Sequence, residues 1–138
     1  MPQRAFFSIL SADLARSTDW YVSLFDYQIE FDSDWFVHLR DPDIAHLELG
    51  IMAIGHEVVN ERMRSSPTGG LVTLVVDDVD AVDAAAQSRG IENVEPPTDL
   101  FYGQRRMLLA DPDGQIVDVS SECPPDPKWL ASLGDEYT

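Results

Sequence analysis

The feature that most constrains this chain is a faint internal repeat. Sixty-five positions apart, Phe7-Ser8-Ile9-Leu10-Ser11-Ala12-Asp13-Leu14 lies over Val72-Thr73-Leu74-Val75-Val76-Asp77-Asp78-Val79. Both stretches read as a buried strand running into an acidic helix start. Seventy positions apart, His38-Leu39-Arg40-Asp41-Pro42-Asp43 lies over Leu108-Leu109-Ala110-Asp111-Pro112-Asp113. The match continues from Leu47-Glu48-Leu49 to Val117-Asp118-Val119. The drift between the two offsets is one loop insertion, which loops absorb at little cost. The 138 residues therefore divide into module 1 (4–52), a connector (53–69), module 2 (70–122) and a C-terminal tail (123–138).

Each module reads as strand, helix, then three strands. In the first helix Leu14, Ser17, Tyr21 and Leu24/Phe25 recur at helical spacing behind the N-cap residue Asp13. In the second, Val79, Val82 and Ala85/Ala86 follow Asp77-Asp78, and Gly90 supplies the stop. Acidic residues at both helix starts suit the positive end of the helix dipole. The Asp-Pro-Asp tripeptides mark turns between the last two strands of each module. Gly114 completes the second turn, whereas Ile44 stands in its place in the first. In the tail, Asp126 caps a last short helix carrying Trp129, Leu130 and Leu133. That helix is either a cover for its own domain or a contact for a protein partner.

Strand alternation then sorts the side chains. A three-residue turn at Asp41-Pro42-Asp43 with a bulge sets His38 opposite Glu48. Val37, Leu39, Leu47 and Leu49 then face the helix, and His38, Arg40, His46 and Glu48 share the other face. In module 2, Met107, Leu109, Val117 and Val119 face inward, with Arg106, Ile116, Asp118 and Ser120 opposite. The repeat makes Glu48 and Asp118 equivalent carboxylates.

Charge limits the partners. Nine Lys and Arg against 25 Asp and Glu give a net charge of −16. Such a field repels phosphate backbones and anionic membranes, so neither nucleic acid nor membrane is an expected partner. It attracts cationic ligands and leaves neutral ones unopposed, or serves solubility alone. The N-terminal MPQRAFFSIL has no secretory apolar core, and no apolar run reaches membrane-spanning length, so a cytoplasmic location is expected. The single Cys123 rules out an intramolecular disulfide.

A doubled strand–helix–three-strand unit with these motifs resembles the vicinal oxygen chelate superfamily, which includes glyoxalase I, extradiol dioxygenases and bleomycin-resistance proteins. The carrying residues are Ala12-Asp13-Leu14, Trp20-Tyr21, Leu24-Phe25-Asp26-Tyr27, Leu47-Glu48-Leu49, Tyr102-Gly103-Gln104-Arg105 and Asp111-Pro112-Asp113-Gly114. Asp26 stands where relatives often have glycine, a place that demands a left-handed backbone. The resemblance implies an α+β fold of two βαβββ modules, with a curved mixed sheet around a cleft, assembled as a homodimer. It also implies metal-ligand positions at Glu48 and Asp118 and, for the two histidines of metal-dependent members, at Phe6 and Leu71. Phenylalanine and leucine bind no metal. Two carboxylates alone suit zinc, nickel or iron poorly.

The expectation is thus a protein that sequesters a neutral or cationic small molecule with no metal cofactor. Its ligand-binding residues would be Glu48, Asp118, Phe6, Leu71, His46, His38, Tyr102 and Arg106. Glu48 and Asp118 would hold a cation or act as an acid–base pair; the plain alternative is two solvated carboxylates. Phe6, Leu71, Trp35, Phe36, Phe101 and Tyr102 are candidates for an apolar wall or for ordinary core. Arg105 and Arg106 either hold an anionic ligand group or pair with neighbouring acids. His56 reads as solvated and Cys123 as an inert thiol. The alternative function is a metal-dependent lyase, isomerase or dioxygenase built on His38, His46 and Glu48, a set of facial-triad composition.

Overall fold

The computed structural model describes residues 1–134, so the last four residues of the tail lie outside the described residues. The chain forms two compact units. The first comprises Met1–Gly70 with Asp111–Gln115, and the second comprises Leu71–Ala110 and the chain from Ile116 onward. The fold is α+β, and each unit is described by itself.

In the first unit β1 (Phe7–Ser11) leads into α1 (Leu14–Phe25), then β2 (Gln28–Asp32), β3 (Phe36–Arg40) and β4 (Glu48–Ala53). The strand order is β1-β4-β3-β2, with β1 parallel to β4 and the other pairs antiparallel. Parallel neighbours cannot be joined by a hairpin, so the chain must cross over the sheet, and α1 is part of that crossover. The helix starts where expected: the Asp13 side chain accepts from the Arg16 backbone N–H. The cap is the only acid at that end, since the first turn of α1 itself contains none. Ser17, Trp20, Tyr21 and Leu24 are buried on the helix. Ile9, Val37, Leu39, Leu49 and Ile51 are the buried face of the sheet, none more than 2% exposed. Asp26 ends the helix at φ 57°, ψ 24°, the left-handed conformation its position demands.

The second unit repeats the plan with β5 (Val72–Val75), α2 (Val79–Ser88), β6 (Glu95–Asp99), β7 (Gln104–Ala110) and β8 (Ile116–Glu122), in the order β5-β8-β7-β6. The Asp78 side chain caps α2 through the N–H groups of Asp80 and Ala81, and Gly90 follows its end at φ 74°. Met107, Leu109, Val117 and Val119 are fully buried, as strand alternation predicts. The tail forms α3 (Pro127–Ser132), capped by Asp126. Its Trp129 ring packs edge-on against Phe101, with centroids 5.5 Å apart, so α3 covers its own unit.

The two Asp-Pro-Asp turns differ in length, and this corrects the expected register. Seven residues separate Arg40 from Glu48, but five separate Ala110 from Ile116. Arg40 therefore pairs with Glu48 and His38 with Gly50, where the tripeptide alone predicts His38 opposite Glu48. Leu47 belongs to the turn and is 42% exposed rather than core, and His46 is exposed in the same turn. Measured by strand partners, Leu49 (with Phe7 and Leu39) corresponds to Val117 (with Val72 and Leu109). Glu48 then occupies the place of Ile116, and Asp118 the place of Gly50. The two acids are not ladder twins. A slip of two residues keeps every side chain on its own face, so apolar sorting cannot detect it.

The second turn is tied into the first unit. Asp111 accepts from the backbone N–H of Asp113 and of Gln115, and the Tyr21 hydroxyl donates to its other oxygen at 2.7 Å. The Asp113 carboxylate takes the Ala12 N–H and the Ser17 hydroxyl. Burial pushes the Asp111 carboxyl up and the Tyr21 phenol further up. The connector also contributes core: Val59 is 1% exposed, which its polar surroundings in sequence did not suggest. His56 is not simply solvated but half-buried, its ring stacked on Trp35 at 5.2 Å.

Tyr21→Phe should cost about 1–3 kcal/mol, because it leaves a buried acceptor unpaired. An unchanged midpoint of denaturant unfolding would show that the bond contributes nothing. Asp26→Gly should stabilise by about 1 kcal/mol, and Asp26→Val should destabilise, since only glycine adopts this backbone without strain. Thermal melts of the two variants read the difference, and movement in the same direction would contradict it.

Candidate functional site

The polar face of the first sheet is assembled by cross-strand neighbours. Ser8, Gly50 and His38 lie across β1, β4 and β3, and Glu48 lies across from Arg40. Phe6, one residue before β1, sets its ring 5.7 Å from the His38 ring. Phe36 closes the other side. A Cβ on Gly50 would come within 2.9 Å of the Phe36 ring and 2.7 Å of Ser8 Oγ, so the glycine lets the ring lie across β4.

Glu48 is the centre of this face, its side chain only 4% exposed. Arg4 Nε donates to Oε2 at 2.7 Å and Arg4 Nη2 to Oε1, a two-pronged pair. The Arg4 guanidinium carbon lies 4.8 Å above the centre of the Phe6 ring. Arg40 Nη2 approaches Oε1 at 3.4 Å. His38 Nε2 lies 2.8 Å from Glu48 Oε1 and 3.0 Å from Arg4 Nη2. That nitrogen serves one of them at a time: protonated it donates to Glu48, unprotonated it accepts from Arg4. The hydrogen bonds from Arg4, aided by His38 and opposed by burial, hold the Glu48 carboxyl down at about 2. The carboxylate is thus ionised and already holds a cation, rather than lying open as an acidic floor. Arg4 was absent from the expected site, whereas Phe36 was among the candidates for its apolar wall. Arg4 precedes the first strand, and no periodicity marks a residue outside an element.

On the corresponding face of the second sheet, Asp118 is 8% exposed. Ser120 Oγ donates to it at 2.6 Å and Thr73 Oγ1 at 3.3 Å. Leu71 and Val75 on the same unit are 51% and 70% exposed. Arg106 shares the face through its pairing with Ser120, but its guanidinium binds Glu95. Arg105 is engaged by Asp80 and Asp99. Tyr102 sits in the β6–β7 turn, its ring edge-on to Phe101 in the tail cluster. Cys123 is half-buried and free.

The proposed facial triad is not assembled. His38 and Glu48 meet, but His46 lies in the exposed turn, and among the described residues no three His, Cys, Asp or Glu are placed to share a metal ion. A histidine-and-carboxylate metal does not fit the positions that the resemblance implies either: Phe6 and Leu71 are apolar, and Glu48 is enclosed by two arginines. A cavity of about 640 Å³ opens on the helix side of the first unit, lined by Leu14, Ala15, Val22, Ile29 and Val37 with Asp19, Asp32 and Asp34. None of the expected site residues lines it.

In the absence of Arg4 the Glu48 carboxyl should titrate markedly higher. Its folded value lies below the ordinary 4.5, so its contribution to stability is present above that pH and is lost as pH falls through about 2. Carbon-detected NMR titration of Glu48 in the parent and in Arg4→Ala reads both midpoints. Coincident midpoints would contradict the ion pair.

The family model described as "Glyoxalase/Bleomycin resistance protein/Dioxygenase superfamily" matches residues 4–119. No curated protein matches the chain. Among solved structures, TnmS3 from Streptomyces sp. CB03234, described as an antibiotic binding protein, is 22% identical with a TM-score of 0.71, covering 88% of this chain and 97% of its own. A superfamily member from Sphaerobacter thermophilus DSM 20745 is 22% identical with a TM-score of 0.70, covering 88% and 98%. TioX from Micromonospora sp. ML1 is 20% identical with a TM-score of 0.65, covering 88% and 99%.

Proposed function

The chain belongs to the glyoxalase/bleomycin resistance protein/dioxygenase superfamily, and from that premise we propose that it binds and sequesters a planar neutral or cationic organic molecule without transforming it. One observation carries this: an ionised, almost wholly enclosed carboxylate at Glu48 already accommodates a planar cation, the Arg4 guanidinium, which lies over the Phe6 ring, on a sheet face where Phe36 lies across Gly50. A flat ligand would stack on the rings while its charge or donor groups meet Glu48 and His38. The description of a similarly folded protein as antibiotic-binding is consistent with an organic ligand. Asp118, on the polar face of the second sheet with Thr73 and Ser120, is the second acidic position of this proposal.

The proposal includes a homodimer. Support comes from the edge strand β2, where Ile29 and Phe31 are 50% and 51% exposed. No helix is long and apolar enough to cross a membrane among the described residues.

Proflavine, a planar fluorescent cation, is a suitable probe. Its affinity should fall roughly tenfold or more in Glu48→Gln, as expected for removing a charged partner. It should also weaken with added salt and decline in Phe36→Ala. The dye should be recovered chemically unchanged. Affinity indifferent to both substitutions would remove this face from the binding site, and a converted product would replace sequestration with catalysis.

A further inference from the structure

Arg4 looks like a bound ligand that happens to be covalently attached. Residues 1–6 form neither helix nor strand, and all are exposed. From this irregular segment the guanidinium reaches Glu48 with two nitrogens, lies over the Phe6 ring and touches His38 Nε2. The partners differ in freedom. The Arg4 side chain is 52% exposed, whereas that of Glu48 is 4% exposed and fixed on a central strand. Arg4 can swing away, and Glu48 cannot follow it. When Arg4 leaves, a proton on His38 Nε2 lets the ring donate to Glu48, so the carboxylate keeps a partner in the open state.

We propose that the Phe6–His38–Glu48 cluster is a recognition site for a guanidinium or amidinium group, and that Arg4 is its tethered competitor. This rests on the small-molecule-binding function above and narrows it to one ligand chemistry. The planar fork is the reason for the choice. A carboxylate with two engaged oxygens beside an aromatic face suits a flat, two-pronged cation that can stack, and suits a tetrahedral ammonium less well. The tether sets a threshold. An intramolecular competitor acts at an effective concentration of roughly millimolar, so only ligands with further contacts to the protein displace it. The arm thereby excludes free arginine and simple guanidines while admitting larger molecules that carry the same group.

The test compares benzamidine with benzylamine, which keeps the ring but replaces the amidinium by an ammonium. Calorimetry would be run on the parent, Arg4→Ala, Arg4→Lys, Glu48→Gln and a chain lacking residues 1–5, each checked for folding by circular dichroism. Benzamidine should bind Arg4→Ala and the truncated chain roughly tenfold more tightly than the parent. It should be preferred over benzylamine in both and be lost in Glu48→Gln. Arg4→Lys should fall between parent and alanine variant, because it keeps the charge without the fork. Equal benzamidine affinity in parent, Arg4→Ala and the truncated chain would overturn the competitor role. Equal affinity for the two probes would overturn the guanidinium class. If proflavine binds through Glu48 while benzamidine binds no variant, this inference fails and the broader function stands. If neither probe depends on Glu48, both fail.

Discussion

Parallel pairing of the first and last strands of each module is the constraint from which the rest follows. Two parallel neighbours cannot be joined by a tight turn, so a helix must carry the chain back across the sheet. α1 and α2 play that part, and each covers one face of its sheet. That face must be apolar, and its strand residues are fully buried or nearly so. The opposite face carries no helix of its own module, which leaves it free to hold His38, Arg40 and Glu48 in one unit and Asp118 and Arg106 in the other. The helix-covered face takes polar side chains only with a partner on the helix, as Ser11 has in Ser17 and Ser121 in the Val79 N–H.

Within that frame the chemistry of the first unit is decided by competition for one carboxylate. Glu48 is too enclosed to be stabilised by water and too ionised to be a useful proton donor near neutral pH. It needs a cation, and the chain supplies Arg4 from outside the sheet and Arg40 from the neighbouring strand. A catalytic acid–base role would require the opposite environment, one that raises the pKa toward the working pH. The Glu48 surroundings favour binding of charge over transfer of protons. Asp118 is held differently, by two hydroxyls rather than by arginine.

Much of this architecture was legible in the residues. The strand–helix starts at Asp13 and Asp78, the left-handed Asp26, the cap at Asp126 and the buried quartet Met107, Leu109, Val117 and Val119 all follow from local rules, because each depends only on neighbours within a turn or on strand alternation. The errors gather where a local rule has two equally good solutions. Leu47-Glu48-Leu49 matches Val117-Asp118-Val119 in pattern, yet the ladders place them two residues apart. Nothing in the alternation of apolar and polar residues distinguishes the two registers, since both bury the same parity.

Sequence alone therefore determined the doubled module, the faces of its strands, the caps of its helices and the family, all encoded at short range and by repetition. Tertiary structure alone decided that Arg4, Phe6, His38 and Glu48 meet, that His46 is left out in a longer turn, and that Asp118 answers to Gly50 rather than to Glu48. Those outcomes depend on strand register and on the path of a segment without periodicity. Both are set by the energy of the whole ladder and its flanking contacts, which no single stretch of residues contains.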